Sequence, residues 1–275
     1  MGLLVEILKA VVLGIVQGIT EWLPISSTGH LLLVNQFLKL DFSETFVNTF
    51  MVVIQLGSIM AVVVLFFKKL WPFNFHSQSH EQRLSIWKMW LKVLVASIPV
   101  GVIGYFFDDT IDQYMHTPFV IALALIVYGV LFIVIESRNP KVYIKDIDHL
   151  DYITAANIGL FESLALIPGT SRSGSTIIGA RMLYCSKEMA AEFSFFLAIP
   201  AMLGASLLKL VKAGFGFTSQ EWIVMGVGSL VAFAVSIFAI RFLMSYIKKH
   251  DFKAFGIYRI VLGVLVLVYF YIIAK

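Results

Sequence analysis

Gln17-Gly18-Ile19-Thr20-Glu21-Trp22-Leu23-Pro24-Ile25-Ser26-Ser27-Thr28-Gly29-His30 interrupts one apolar run of this chain. Glu162-Ser163-Leu164-Ala165-Leu166-Ile167-Pro168-Gly169-Thr170-Ser171-Arg172-Ser173-Gly174-Ser175-Thr176 interrupts another. A proline removes a helical hydrogen bond and clashes with the preceding turn, so each apolar helix ends at its proline. Residues 3–23 predict one helix and 26–38 a second that is too short to cross a bilayer. Residues 152–167 and 174–185 repeat that arrangement around Pro168-Gly169. Each pair reads as a re-entrant helix-turn-helix that dips in and returns. Irregular backbone at membrane depth survives only when buried in protein or lining a wet cavity, which makes the two turns the candidate site.

Outward from the turns, apolar runs of spanning length, about 20 residues at 1.5 Å each, lie near 46–67, 89–107, 118–136, 189–211, 222–245 and 255–274. Composition agrees: 59% of the 275 residues are hydrophobic and 14% charged, against roughly 45–50% and about 25% in a soluble domain. The mean hydropathy is +0.89. A net charge of +4, scattered along the chain, gives no footing for nucleic acid. The single cysteine, Cys185, excludes an internal disulfide, and no Cys/His cluster has zinc spacing. The apolar N-terminal segment carries Glu6 and Lys9, with no basic leader and no small-residue cleavage site before Pro24, so it reads as part of the fold.

The two halves match in order, a re-entrant pair followed by three spans. Ser26-Ser27-Thr28-Gly29 aligns with Ser171-Arg172-Ser173-Gly174, and on that offset Gln17 meets Glu162. A half with an odd number of crossings is followed by its inverted copy, an arrangement known for discontinuous helices meeting near the midplane. The expectation is one all-α integral membrane domain over 1–275. It has six transmembrane helices plus two re-entrant pairs in an inverted-topology repeat, with halves at about 1–137 and 150–275. Lysine and arginine favour cytoplasmic loops. Lys68, Lys69, Arg83, Lys88 and Lys92 mark the loop after the first full span as cytoplasmic. So do Arg138, Lys141 and Lys145 for the third loop, and Lys248, Lys249 and Lys253 for 246–254. The loop with Asp108, Asp109 and Asp112 is then external, as are both termini; Lys209 and Lys212 at an outer end are the one discord.

An ionisable group at membrane depth marks a functional site. Gln17 and Glu21 stand four apart on one helix face, and a carboxylate there can activate a nucleophile or hold a divalent cation. Ser26, Ser27 and Thr28 open a new helix. One of them serves as its N-cap, while the free amides of that terminus suit a phosphoryl group. His30, three residues past Ser27, shares its face as a candidate base. Arg172 offers a planar, permanently charged fork for phosphate, with Glu162 or Glu192 as structural partners in the blander reading. Ser171, Ser173, Ser175 and Thr176 add donors, and Gly169 and Gly174 allow close backbone approach. Glu136, Arg241 and Arg259 are assigned to helix ends or internal pairing.

Residues 21–30 and 168–176 resemble the two signature motifs of the bacterial undecaprenyl-diphosphatase, or bacitracin-resistance, family, and the likeness runs over the whole chain, including Val53-Ile54-Gln55-Leu56-Gly57-Ser58. The family's first motif begins with glutamate or glutamine; Gln17 is the latter, leaving Glu21 as the motif's only carboxylate. The resemblance implies hydrolysis of the C55 polyprenyl diphosphate to its monophosphate, with Mg²⁺ or Ca²⁺ as cofactor and Glu21 as metal ligand. It implies a bacterial plasma-membrane protein whose site opens externally. Its partners would be the lipid substrate and membrane lipid, with no nucleic acid and with a homodimer left open. On this reading Ser27 is the nucleophile, His30 its base or the later acid, and Arg172 the anion holder. Gln17, Ser26, Thr28, Ser171, Ser173, Gly174 and Thr176 line the substrate. The alternative is a polyprenyl-phosphate or anion transporter using the same midplane site; the Ser27/His30 pair favours chemistry.

Overall fold

The computed structural model describes residues 2–73 and 78–273, without the side chains of Asp108, Asp109 and Asp112. The chain is helical: α1 Leu3–Thr20, α2 Ser27–Phe37, α3 Glu44–Leu65, the single turn α4 Phe67–Leu70, α5 His80–Met115 and α6 Pro118–Ser137. The second half holds α7 Tyr152–Ser163 with a 3-10 turn at Leu164–Leu166, α8 Arg172–Met182, α9 Lys187–Ala213, α10 Ser219–Ile247 and α11 Lys253–Val268. Most helices start on a side chain that takes the orphan amides of the first turn: Ser43, Ser79, Thr117, Asp151, Ser186 and Thr218 all do so. Both helices expected to run to their prolines stop short of them, α1 at Thr20 instead of residue 23 and α7 at Ser163, with the Leu164–Leu166 turn carrying the chain on toward Pro168.

Seven helices among the described residues are long and apolar enough to span a membrane, one more than expected, because α1 with its 18 residues also qualifies. A second correction concerns α5. The run near 89–107 is the middle of a 36-residue helix that passes through Pro99, so the backbone of Asp108, Asp109 and Asp112 belongs to that helix rather than to a loop. Residues 74–77 of the basic loop lie outside the described residues.

α1 and α3 lie along α10 and α7 along α5, while α3 also meets α9 and α6 meets α11. Small residues set these crossings, as they do where lipid offers no hydrophobic drive between helices. A Cβ on Gly57 would sit 2.0 Å from the Ser229 carbonyl oxygen, and one on Gly159 would sit 1.9 Å from that of Ala96.

The start of α1 and the end of α2 are tied together, Lys9 donating to the Lys39 carbonyl (2.6 Å) and the Asp41 amide to Glu6 (3.0 Å). The entry to α7 and the exit from α8 are tied likewise, the Tyr143 amide donating to Tyr184 O (2.9 Å) and that of Ser186 to Ile144 O (2.8 Å). The basic segments gather at this second end. Ser85 bonds Asp148 (2.5 Å), Lys92 bonds the Ile147 carbonyl (2.7 Å), and Lys69 bonds Glu192 (2.7 Å).

Candidate active site

The two turns have one geometry. Ser26 and Ser171 both adopt a left-handed backbone, with φ of 72° and 69°. Non-glycine residues rarely hold that region, and when they do the strain clusters at functional sites. Each then caps an 11-residue helix through its hydroxyl, which accepts the amide of Gly29 (3.4 Å) or Gly174 (3.2 Å). The alignment of Ser26 with Ser171 is thus also a correspondence of backbone and hydrogen bonding.

Glu21 is the hub between the turns. It is 6% exposed, and its carboxylate accepts from Arg172 (3.1 Å), Gln17 (2.8 Å) and Ser27 (3.2 Å). Ser173 donates to the Glu21 carbonyl at 3.1 Å, which joins the second turn to the first. Arg172 uses one terminal nitrogen on Glu21 and the other on the Ser194 carbonyl (2.8 Å), with its guanidinium carbon 5.8 Å from the centre of the Trp22 ring. Its partner is Glu21, not Glu162 or Glu192; Glu192 pairs with Lys69.

A cavity of about 270 Å³ opens here, lined by Glu21, Ser27, Thr28, Gln55, Glu162, Ser171 and Arg172, with Val100, Leu166 and Met202 among its apolar wall residues. Two carboxylates, two serines and an arginine face one space that also has an apolar wall.

Several expected residues support this cavity instead of lining it. His30 does not pair with Ser27. Its Nδ1 meets the Ser26 carbonyl (2.8 Å), and its Nε2 meets the Tyr258 hydroxyl (2.7 Å), with the two rings stacked. Gln17 stands behind Glu21. Thr176 is fully buried and bonded to Ser194 (2.6 Å), so it fastens α8 to α9. Gly174 passes close to Arg259, where a Cβ would lie 3.0 Å from Nη1. Ser26 and Ser173 are likewise buried and bonded within the turns.

Three residues gain roles that the sequence reading had not given them. Arg259 of α11 is fully buried and donates to the carbonyls of Pro24 (3.2 Å), Gly169 (2.9 Å) and Thr170 (2.8 Å), so one charged head ties the two turns together. Gln55 and Glu162 line the cavity. The common signal was a polar group inside an apolar segment. Glu136, by contrast, is internally paired as expected, with Arg181 at 2.8 Å.

Comparison with known proteins adds the family. The chain is 62% identical over 270 residues to a protein of Clostridioides difficile (strain 630) named undecaprenyl-diphosphatase 1, covering 98% of each chain. It is 58% identical over 266 residues to an undecaprenyl-diphosphatase of Enterococcus faecalis, covering 96% of each. A namesake from Acetivibrio thermocellus is 57% identical over 273 residues, covering 97% of this chain and 98% of its own. Residues 10–265 match the family model described as bacitracin resistance protein BacA, and the chain belongs to that family.

Proposed function

We propose that this chain hydrolyses undecaprenyl diphosphate to undecaprenyl phosphate and inorganic phosphate, in a bacterial plasma membrane. The lipid carrier is thereby recycled for cell-wall synthesis, and the diphosphate form that bacitracin sequesters is removed. The observation that carries the reading is the Ser27 hydroxyl held on the Glu21 carboxylate, itself paired with Arg172, at the edge of one cavity. Nothing in the geometry calls for transport alone, and the relatives bear the name of a phosphatase rather than of a carrier.

The diphosphate enters with its prenyl chain against the apolar wall, and its terminal phosphate takes up the Arg172 fork and the amides at the start of α2 and α8. Drawing the guanidinium toward phosphate frees the Glu21 carboxylate. Ser27 Oγ then attacks the terminal phosphorus while its proton passes to Glu21, and the bridging P–O bond breaks as undecaprenyl phosphate leaves. Water cleaves the phosphoserine, phosphate departs, and the serine recovers its proton. The base is Glu21 in place of His30, which fixes the Ser26 carbonyl and Tyr258. A divalent cation, Mg²⁺ or Ca²⁺, would neutralise charge on the diphosphate oxygens. Glu21 carries three donors already, so the cation needs a further oxygen ligand from the cavity wall.

The same reading makes α1–α2 and α7–α8 two re-entrant pairs of an inverted repeat, in halves of about 1–137 and 150–275. Both termini and the opening of the cavity face outward. The matched serine turns and the tied ends of each pair support it.

The test is phosphate release from purified protein on a long prenyl diphosphate, with EDTA as a control and an acid quench on substrate labelled at the terminal phosphate. Acid-stable label on the wild type, absent in Ser27→Ala, is the expected result. An acid-labile adduct that persists in Ser27→Ala would transfer the attack to His30, and no phosphate release would sink the assignment.

A further inference from the structure

Glu162 is 1% exposed, and neither of its carboxylate oxygens has a hydrogen-bond partner, although it lines the same cavity as Glu21, Ser27 and Arg172. Glu21 in the same space accepts three hydrogen bonds, one of them from an arginine. The contrast is chemical. An ionised carboxylate taken out of water costs several kcal/mol even after relaxation, unless a cation or several donors meet it. Here no protein group hydrogen-bonds to it, and Arg172, spent on Glu21 and the Ser194 carbonyl, acts on it only through space. An unmet anion on the wall of a cavity built for a more highly charged anion also repels the ligand that the cavity serves.

A hard divalent cation resolves both problems. Mg²⁺ is commonly held by one or two carboxylates together with substrate phosphate and water, rather than by a full protein cage. That matches this wall, since no group of three or more His, Cys, Asp or Glu gathers anywhere among the described residues. Gln55 adds a further oxygen, because its amide nitrogen is engaged by the Met51 carbonyl (3.4 Å) and its side-chain carbonyl remains an acceptor on the same lining. The aligned position in the first half is Gln17, an amide already bonded to Glu21. The second carboxylate of this site therefore comes from the second half of the chain.

We propose that Glu162 is a metal ligand of the cavity, sharing with Glu21 a divalent cation to which the diphosphate then binds. The phosphatase reading supplies the anion in this proposal, but the cation site itself is tested without it. Mn²⁺ is the probe: its binding to metal-free protein in lipid nanodiscs is followed by loss of the free-ion electron paramagnetic resonance signal, with no prenyl lipid present.

Wild-type protein is expected to bind Mn²⁺ and to melt at a higher temperature when it does. Glu162→Gln should weaken Mn²⁺ binding at least about tenfold and lose that thermal shift. Without metal it should be at least as heat-stable as the wild type, because an isosteric amide removes a buried charge that no hydrogen bond meets. Glu192→Gln, which deletes a carboxylate paired with Lys69 outside this cavity, should bind Mn²⁺ as the wild type does. Unchanged Mn²⁺ affinity in Glu162→Gln would overturn the proposal. So would a metal-free Glu162→Gln that melts well below wild type, because the carboxylate would then be serving the fold. Phosphate release with normal Mn²⁺ binding by Glu162→Gln would refute this inference alone; Mn²⁺ binding through Glu162 without phosphate release would refute only the phosphatase assignment.

Discussion

Arg172 meets a carboxylate, a backbone carbonyl and an aromatic face with one planar head: Glu21 at 3.1 Å, Ser194 O at 2.8 Å and Trp22 at 5.8 Å. Its Nε is buried without a partner, so the guanidinium still has a donor for an incoming oxygen. A lysine at this position would keep the charge but not the fork, nor the plane that stacks on Trp22. Arg172→Lys should therefore lose nearly as much turnover as Arg172→Ala, on the order of 10²–10³ fold, the usual effect of deleting one transition-state donor. The check is kcat for phosphate release by both variants in detergent. Near-normal turnover in the lysine variant would reduce Arg172 to a bulk positive charge.

Helices approach one another here through missing side chains. At Gly159 a Cβ would lie 1.9 Å from the Ala96 carbonyl oxygen, so α7 rests directly on the backbone of α5. Gly159→Ala must push the two apart, and overpacking of that kind costs roughly 1–3 kcal/mol. A lowered melting temperature and poorer recovery of monodisperse protein are expected. Gly101→Ala in α5, where nothing lies within 4 Å, should be neutral or stabilising by up to about 1 kcal/mol through helix propensity. Equal behaviour of the two variants would show that the α5–α7 contact is loose. The short helices themselves were readable from sequence, because Pro24 and Pro168 stand where an apolar pattern meets hydroxyls. The Ser26–Ser171 offset was readable for the same reason. The partner of Ser27 was not. Glu21 lies six residues before it, across the Pro24 break, and His30 three residues after it on α2, and Tyr258, 228 residues beyond His30, decides the matter by engaging the imidazole. The acceptors of Arg259 are backbone carbonyls, which leave no mark in a sequence, so its binding of both turns was also hidden.

The two ends of the bundle differ in charge, and that difference predicts how the molecule sits in a membrane. Ser85 with Asp148, Lys92 with Ile147 O and Lys69 with Glu192 bring the 68–73, 78–92 and 138–151 segments to one end. Lys187, bonded to the His250 carbonyl at 2.6 Å, brings the 246–254 segment to the same end. Most of the described lysines and arginines gather at that end, whereas Lys9 and Lys39 lie at the other, near the tie between Glu6 and the Asp41 amide, with Lys209 and Lys212 at the end of α9. On the positive-inside tendency, the expected outcome is a basic end in the cytoplasm, with the start of α1 and the end of α11 outside. Cys185 is buried and can be replaced by serine to give a background free of thiols. In that background Lys141→Cys, at an exposed position of the basic end, should resist an impermeant thiol reagent in intact cells and react once the membrane is permeabilised. Thr110→Cys, exposed near the far end of α5, should react in intact cells. The reverse pattern would invert the orientation. It would also deny the cavity an external opening, and the enzyme would then have to meet its diphosphate from the cytoplasmic leaflet.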